Sequence, residues 1–117
     1  MEASTQSIAE LTRLGLTTYE AKAYVALLGR DSFTAAEVAR RAGIPRARIY
    51  DVMRSLIDRG FASSRPGDVI RYAAMPPAAA VGRLLDEHRS RMKEIESTGS
   101  ELIERLEPEF DSGRHHT

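Results

Sequence analysis

The chain has 117 residues, 42% of them hydrophobic and 29% charged, which fits one globular domain with at most one appendage. It contains no cysteine, so disulfides, thiolate metal sites and cysteine nucleophiles are excluded together. Seventeen basic and seventeen acidic side chains cancel in sum, but the distribution matters more than the total. Residues 1–33 are net −1, residues 34–74 hold eight basic and four acidic side chains for a net +4, and residues 75–117 are net −3. Aromatics reach only 6% and there is no Trp, so the core is expected to rest on Leu, Ile, Val, Ala and Met, which suits helices. No apolar run approaches the ~20 residues that cross a bilayer. Met1-Glu2-Ala3-Ser4-Thr5 lacks the basic and apolar regions of a secretory leader. A cytoplasmic location without a membrane partner is the expectation.

Residues 1–13 show little pattern and are expected to form a frayed arm or a short docking helix. Thr17-Thr18-Tyr19-Glu20 reads as a capping box, followed by Ala21, Tyr24, Val25 and Leu28 at helical spacing, with Gly29 marking the end. A second capping box, Thr34-Ala35-Ala36-Glu37, opens a short helix with Val38, Ala39 and Ala42 as its apolar positions. The turn Ala42-Gly43-Ile44 leads to Pro45, which starts a third helix burying Ile49, Val52, Met53 and Leu56. Gly60 closes that helix. Strands are expected over 61–64 and 69–73, flanking Arg65-Pro66-Gly67-Asp68 as a hairpin turn. Pro76-Pro77 then punctuates the chain, and a helical pattern runs over 78–110.

Two short helices joined by a Gly-containing turn describe a helix-turn-helix. With its apolar stripe turned inward, the third helix leaves Ala47, Asp51, Arg54 and Asp58 facing out, flanked by Arg48 and Tyr50, with Arg46 in the first turn. These positions suit guanine edges and phosphates in a major groove. Asp51 suits a cytosine amino group, or a pair with Arg48 or Arg54 three residues away. Thr34 and Ala35 sit at the N-terminus of the second helix, where free amides suit a phosphate. Arg40 and Arg41 lie near the turn, while Arg65 and Arg71 bracket the hairpin tip. The predicted architecture is mainly α with a small β-hairpin wing: a winged helix-turn-helix over residues 1–76, then a long C-terminal helix over 77–111 and a tail over 112–117. The recognition helix is expected at about 45–59 and the wing at about 61–74.

Leu14-Gly15-Leu16-Thr17-Thr18-Tyr19-Glu20-Ala21-Lys22-Ala23-Tyr24 resembles the opening of the TrmB-type winged-helix domain of prokaryotic regulators. Ala36-Glu37-Val38-Ala39-Arg40-Arg41-Ala42-Gly43-Ile44-Pro45-Arg46-Ala47-Arg48-Ile49-Tyr50-Asp51-Val52 is similar to that family's helix-turn-helix. Leu56-Ile57-Asp58-Arg59-Gly60-Phe61 resembles its exit into the wing, and Arg71-Tyr72 with Met75-Pro76-Pro77 resembles the end of its hairpin. The resemblance covers roughly residues 11–85. It implies a DNA-binding transcription factor with double-stranded DNA as partner and the Arg46–Arg54 segment as recognition helix. Many relatives carry a large sugar-binding domain after the winged helix, whereas one helix follows here, so carbohydrate sensing is not carried over. The 15 arginines against only Lys22 and Lys93 agree with a GC-rich prokaryotic genome.

Along the last helix Ala78, Val81, Leu85, His88, Met92, Ile95, Gly99, Leu102 and Leu106 recur at steps of three and four, a heptad seam. A seam with no partner elsewhere in the chain predicts pairing with the same helix of a second copy, through Val81, Leu85, His88, Met92, Ile95, Gly99, Leu102 and Leu106. Packing back onto the winged domain is the alternative, for Val81–Leu85 rather than for Met92–Leu106. His115-His116 resembles a tag remnant or frayed tail. Three scattered histidines supply no metal site, no cofactor is expected, and no nucleophile-base set or phosphate loop marks an enzyme. The competing functions are a winged-helix protein-interaction module of the transcription or chromatin machinery, and a PadR-like or MarR-like dimeric regulator.

Overall fold

A computed structural model describes residues 2–114, and the His115-His116 pair lies outside them. The chain divides into two units, Met1–Leu85 and Asp86–Thr117. The first begins with helix α1 (Glu2–Leu14), the docking helix of the two expected alternatives, with Leu11 buried and Ile8 and Leu14 packed against the core. Helix α2 (Thr18–Leu27) opens with the expected capping box, the Thr17 amide donating to Glu20 Oε1 at 2.8 Å and the Glu20 amide to Thr17 Oγ1 at 3.1 Å. Its buried surface is wider than the stripe read from sequence. Ala23, Ala26 and Leu27 are buried with Ala21 and Tyr24, while Leu28 is 49% exposed. The small alanines let α2 be covered on more than one side, so a one-faced pattern does not describe it.

Strand β1 (Phe33–Thr34) had no sequence signal, because two residues cannot display an alternation. It joins β2 (Ala62–Arg65) and β3 (Arg71–Ala74) in an antiparallel sheet of order β1-β3-β2. The register pairs Phe33 with Tyr72, Ser63 with Ala73 and Arg65 with Arg71. Val69 and Ile70, expected in a strand, instead lie exposed in the tip of the hairpin.

Between the strands lie α3 (Ala35–Ala42) and α4 (Arg46–Asp58). The turn between them depends on Gly43, whose φ of 67° is left-handed, and the following Ile44 amide bonds back to the Ala39 carbonyl at 2.9 Å. Ile44 then drops into the core. Helix α4 ends in the same way: Gly60 has φ 84°, and the Phe61 amide reaches the Leu56 carbonyl at 2.8 Å. The four expected residues Ile49, Val52, Met53 and Leu56 are all buried, against Phe33, Phe61, Leu27 and Val38 in one cluster. Tyr24 meets Phe61 edge-on at 5.0 Å and donates its hydroxyl proton to the Met75 carbonyl at 2.9 Å.

The two turn glycines separate conformational from steric cost. A Cβ on Gly43 would meet nothing within 4 Å, so Gly43→Ala is expected to cost only the left-handed backbone, about 1 kcal/mol. On Gly60 a Cβ would stand 2.7 Å from Arg83 Nη1, so Gly60→Ala adds displacement of a side chain that donates to the Asp58 carbonyl. Urea unfolding should therefore rank Gly60→Ala as the more destabilised variant.

Helix α5 (Pro77–Arg114) is continuous through Gly99 and Pro108. Its 38 residues span about 57 Å. Ala80 and Leu84 are buried in the winged core, which is why the first unit runs to Leu85 rather than to residue 76. Those two side chains lie beside, not on, the expected seam of Val81 and Leu85. Val81 is half-buried and Leu85 is exposed.

Candidate nucleic-acid interface

Turning the stripe of α4 inward leaves Arg46, Ala47, Arg48, Tyr50, Asp51 and Arg54 exposed together, as the helical wheel requires. The helix starts from Pro45 with no side-chain cap and no acidic residue in its first turn. Its positive end therefore stands open beside Arg46 and Arg48. Arg54 donates to Asp51 Oδ1 at 3.3 Å, so the intrahelical pair expected for Asp51 is present, with Arg54 as its partner. Arg48 lies over the Tyr19 ring at 5.6 Å, which leans this arginine toward the start of α2. Arg40, at the end of α3, and Arg46 flank a recess of about 230 Å³ floored by Ala36, Ala39 and Ile44.

The other candidates divide into exposed and committed groups. Ala35 is buried and offers no surface. Thr34 caps α3, its hydroxyl accepting from the Glu37 amide at 3.2 Å while its own amide donates to Glu37 Oε1 at 2.8 Å. The α3 N-terminus thus already holds a carboxylate, with Arg30 at 2.9 Å and Arg71 at 3.8 Å from Glu37. The backbone hydrogen bond from Thr34, followed by the neighbouring hydroxyl and arginines, holds the Glu37 carboxyl below its ordinary value of 4.5. Arg41 stacks over Phe33 at 5.0 Å, on the ring that Arg30 also covers at 4.3 Å. Arg71 donates from Nε to Ser32 Oγ at 2.8 Å and from Nη2 to the Ser32 carbonyl at 3.2 Å. Arg65 is exposed directly across the hairpin from Arg71.

On the wing, Tyr72 lies within electrostatic range of the recognition helix. Burial pushes its hydroxyl up, with Tyr50 adding to the effect and Arg54 opposing it, so all three side chains share one neighbourhood.

The residue that sequence reasoning missed is Glu20. Read there only as a capping residue, its side chain is buried, taking Thr17 N at 2.8 Å and Arg59 Nη1 at 3.1 Å on Oε1 and the Ser55 hydroxyl on Oε2. Arg59 also donates to the Gly15 carbonyl at 3.2 Å. Burial alone would raise this carboxyl, but the bonds from Ser55, Thr17 and Arg59 outweigh it and hold it below 4.5. The last turn of α4 is thereby clamped to the α1–α2 junction. Nothing local could have signalled partners 35 and 39 residues away.

Residues 11–78 match the family model described as "Sugar-specific transcriptional regulator TrmB". The chain belongs to the TrmB family. It is 41% identical over 97 residues to the DNA-binding HTH-type transcriptional repressor TrmBL2 of Thermococcus kodakarensis, covering 80% of this chain and 37% of that protein. A solved structure of TrmBL2, described as an archaeal chromatin protein with a novel mode of DNA binding, superposes with a TM-score of 0.76 at 34% identity, over 90% of this chain and 42% of that one. The MarR family regulator SPO1453 of Silicibacter pomeroyi superposes with a TM-score of 0.55 at 16% identity, over 95% of this chain and 86% of that one, a likeness of fold alone. The TrmB chain described here thus spans little more than a third of the curated TrmBL2 relative. Its matched segment takes in the capping boxes, the helix-turn-helix and the whole wing.

Proposed function

We propose that this TrmB-family chain is a DNA-binding transcriptional regulator and not an enzyme. It acts as a cytoplasmic homodimer on a pseudo-palindromic site. The winged unit, which ends at Leu85, reads the duplex, and α5 beyond it pairs two copies. The observation that carries the reading is the single exposed face of α4, where Arg46, Arg48, Tyr50 and Arg54 surround an uncapped helix start. Arg40 stands across a recess from Arg46, and Arg65 on the wing lies opposite Arg71. In this role Arg46 and Arg48 meet base edges, while Arg40, Arg54 and Arg65 meet phosphates and fix the register. Arg41, Arg71 and Glu20 hold the parts in place. No helix among the described residues is long and apolar enough to cross a membrane.

The test is a fluorescence-anisotropy titration of genomic promoter duplexes at several salt concentrations. With three phosphates neutralised per copy, the slope of log affinity against log salt is expected near −2.7 per copy, or about −5.4 for the dimer. A flat salt response sinks the DNA-binding reading and leaves the same face to a protein partner.

A further inference from the structure

Beyond Leu85, helix α5 holds large apolar side chains in water: Met92, Ile95, Ile103, Leu106 and Phe110 are between 45% and 61% exposed. A heptad ladder through Met92, Ile95, Gly99, Leu102 and Leu106 leaves Ile103 and Phe110 outside the seam. Counting outward from Gly99 includes both. Ile95 and Ile103 lie four residues to either side, Met92 and Leu106 seven, His88 and Phe110 eleven. Steps of four, seven and eleven belong to an eleven-residue repeat of about 3.67 residues per turn, close enough to the natural helix for the stripe to run almost straight. Leu102 flanks this stripe. The pattern is also the same read from either end, with Gly99 at its centre.

Charge along the helix has no such symmetry. Residues 86–93 set Arg89, Arg91 and Lys93 against Asp86 and Glu87, whereas residues 94–111 set seven carboxylates against Arg105. Two parallel copies would bring those acidic halves side by side, with Glu107, Glu109 and Asp111 facing their own kind. Reversing one copy about Gly99 brings Arg89 between Glu107 and Asp111 of the second copy, and Arg91 beside its Glu109. At 3.67 residues per turn these charges flank the apolar stripe on matching sides. Arg89 now bonds Asp86 of its own helix at 2.8 Å, an exposed contact that an intermolecular one can replace.

We propose that α5 pairs antiparallel with α5 of a second copy, crossing at Gly99. The proposal rests on the homodimer reading above and assigns its geometry. Ile95 packs on Ile103, Met92 on Leu106 and His88 on Phe110. The two Gly99 backbones meet where a Cβ would find open space in the single chain. This accounts for a glycine in mid-helix, which otherwise only costs stability.

The absence of native cysteine allows a direct test in the full chain. Met92→Cys and Leu106→Cys are made singly, and the two variants, one carrying a mass tag, are co-expressed and mildly oxidised. A disulfide needs Cβ atoms about 4 Å apart. In the antiparallel pair, the thiol at position 92 of one chain meets the thiol at position 106 of the other, while the two copies of position 92 stand about 21 Å apart along the helices. The expected product is the mixed disulfide, in at least about tenfold excess over either homodisulfide. Efficient disulfide formation by Met92→Cys alone means parallel pairing and overturns the proposal while the homodimer stands. A dimer by sedimentation that yields neither disulfide places the interface elsewhere and also overturns it. A chain that sediments as a monomer overturns the homodimer reading itself.

Discussion

Replacing Arg46 and Arg48 together by glutamate is expected to reduce affinity for a specific duplex by about 1,000-fold while leaving the fold unchanged. Both side chains are exposed at the uncapped start of α4, where DNA would meet the positive end of the helix. Each arginine that reads a base edge contributes about 1–3 kcal/mol of binding, and every ~1.4 kcal/mol is tenfold in affinity. Losing both contacts accounts for most of the effect, and two new carboxylates facing phosphates supply the rest. The stability of the variant should stay within about 0.5 kcal/mol of the parent, as for most surface substitutions. The stacking of Arg48 on the half-buried Tyr19 at 5.6 Å leaves the arginine exposed and is worth about 1 kcal/mol. Against that, acidic residues in the first turn of a helix are favourable. Circular dichroism and urea unfolding check the fold, and anisotropy checks binding. Unchanged affinity in a folded variant would move the reading to a protein partner, identified by whether the same variant loses that partner in a pull-down.

The second large effect is on the fold. Glu20→Ala is expected to destabilise the chain by about 3 kcal/mol, since it removes a buried carboxylate that three part-buried donors share. Here the stranded groups are the Ser55 hydroxyl, the Arg59 guanidinium and the Thr17 amide. For a domain of this size that corresponds to a fall in Tm of roughly 12–24 °C. The pH dependence follows from the direction of the shift. Folding holds the Glu20 carboxyl below 4.5, so the unfolded chain binds the proton more readily. The stabilisation is fully present above about pH 4.5 and is lost as the pH falls toward the folded value. Glu20→Gln, which cannot titrate, should give a shallower loss of stability on acidification below about pH 4.5 than the parent. An equal acid limb in both proteins would show that this carboxyl carries none of the linkage.

The likeness to MarR-type structures shows how little the fold alone decides. Two families share the winged helix at 16% identity, so architecture could not choose between them. The choice came from spaced motifs within residues 11–78, the segment that the TrmB family model matches.

Much of what neighbours within about five residues govern was legible in the sequence, although the hairpin tip that holds Val69 and Ile70 was read as strand. Both capping boxes, the left-handed Gly43 and Gly60, and the buried set Ile49, Val52, Met53 and Leu56 are such features, because helix caps and helical faces are fixed by i to i+4 geometry. The exposed arginines of α4 follow from the same wheel once its apolar side is known. Which arginines were already spoken for emerged only from the folded chain. Arg41 is drawn onto Phe33 and Arg71 onto Ser32 and Glu37, while Arg59 goes to Glu20, a contact spanning 39 residues. Sequence could mark the middle third as basic but could not divide its charge between anchoring and surface. That division depends on long-range packing, which brings ring, carboxylate and guanidinium together without any local pattern to announce it.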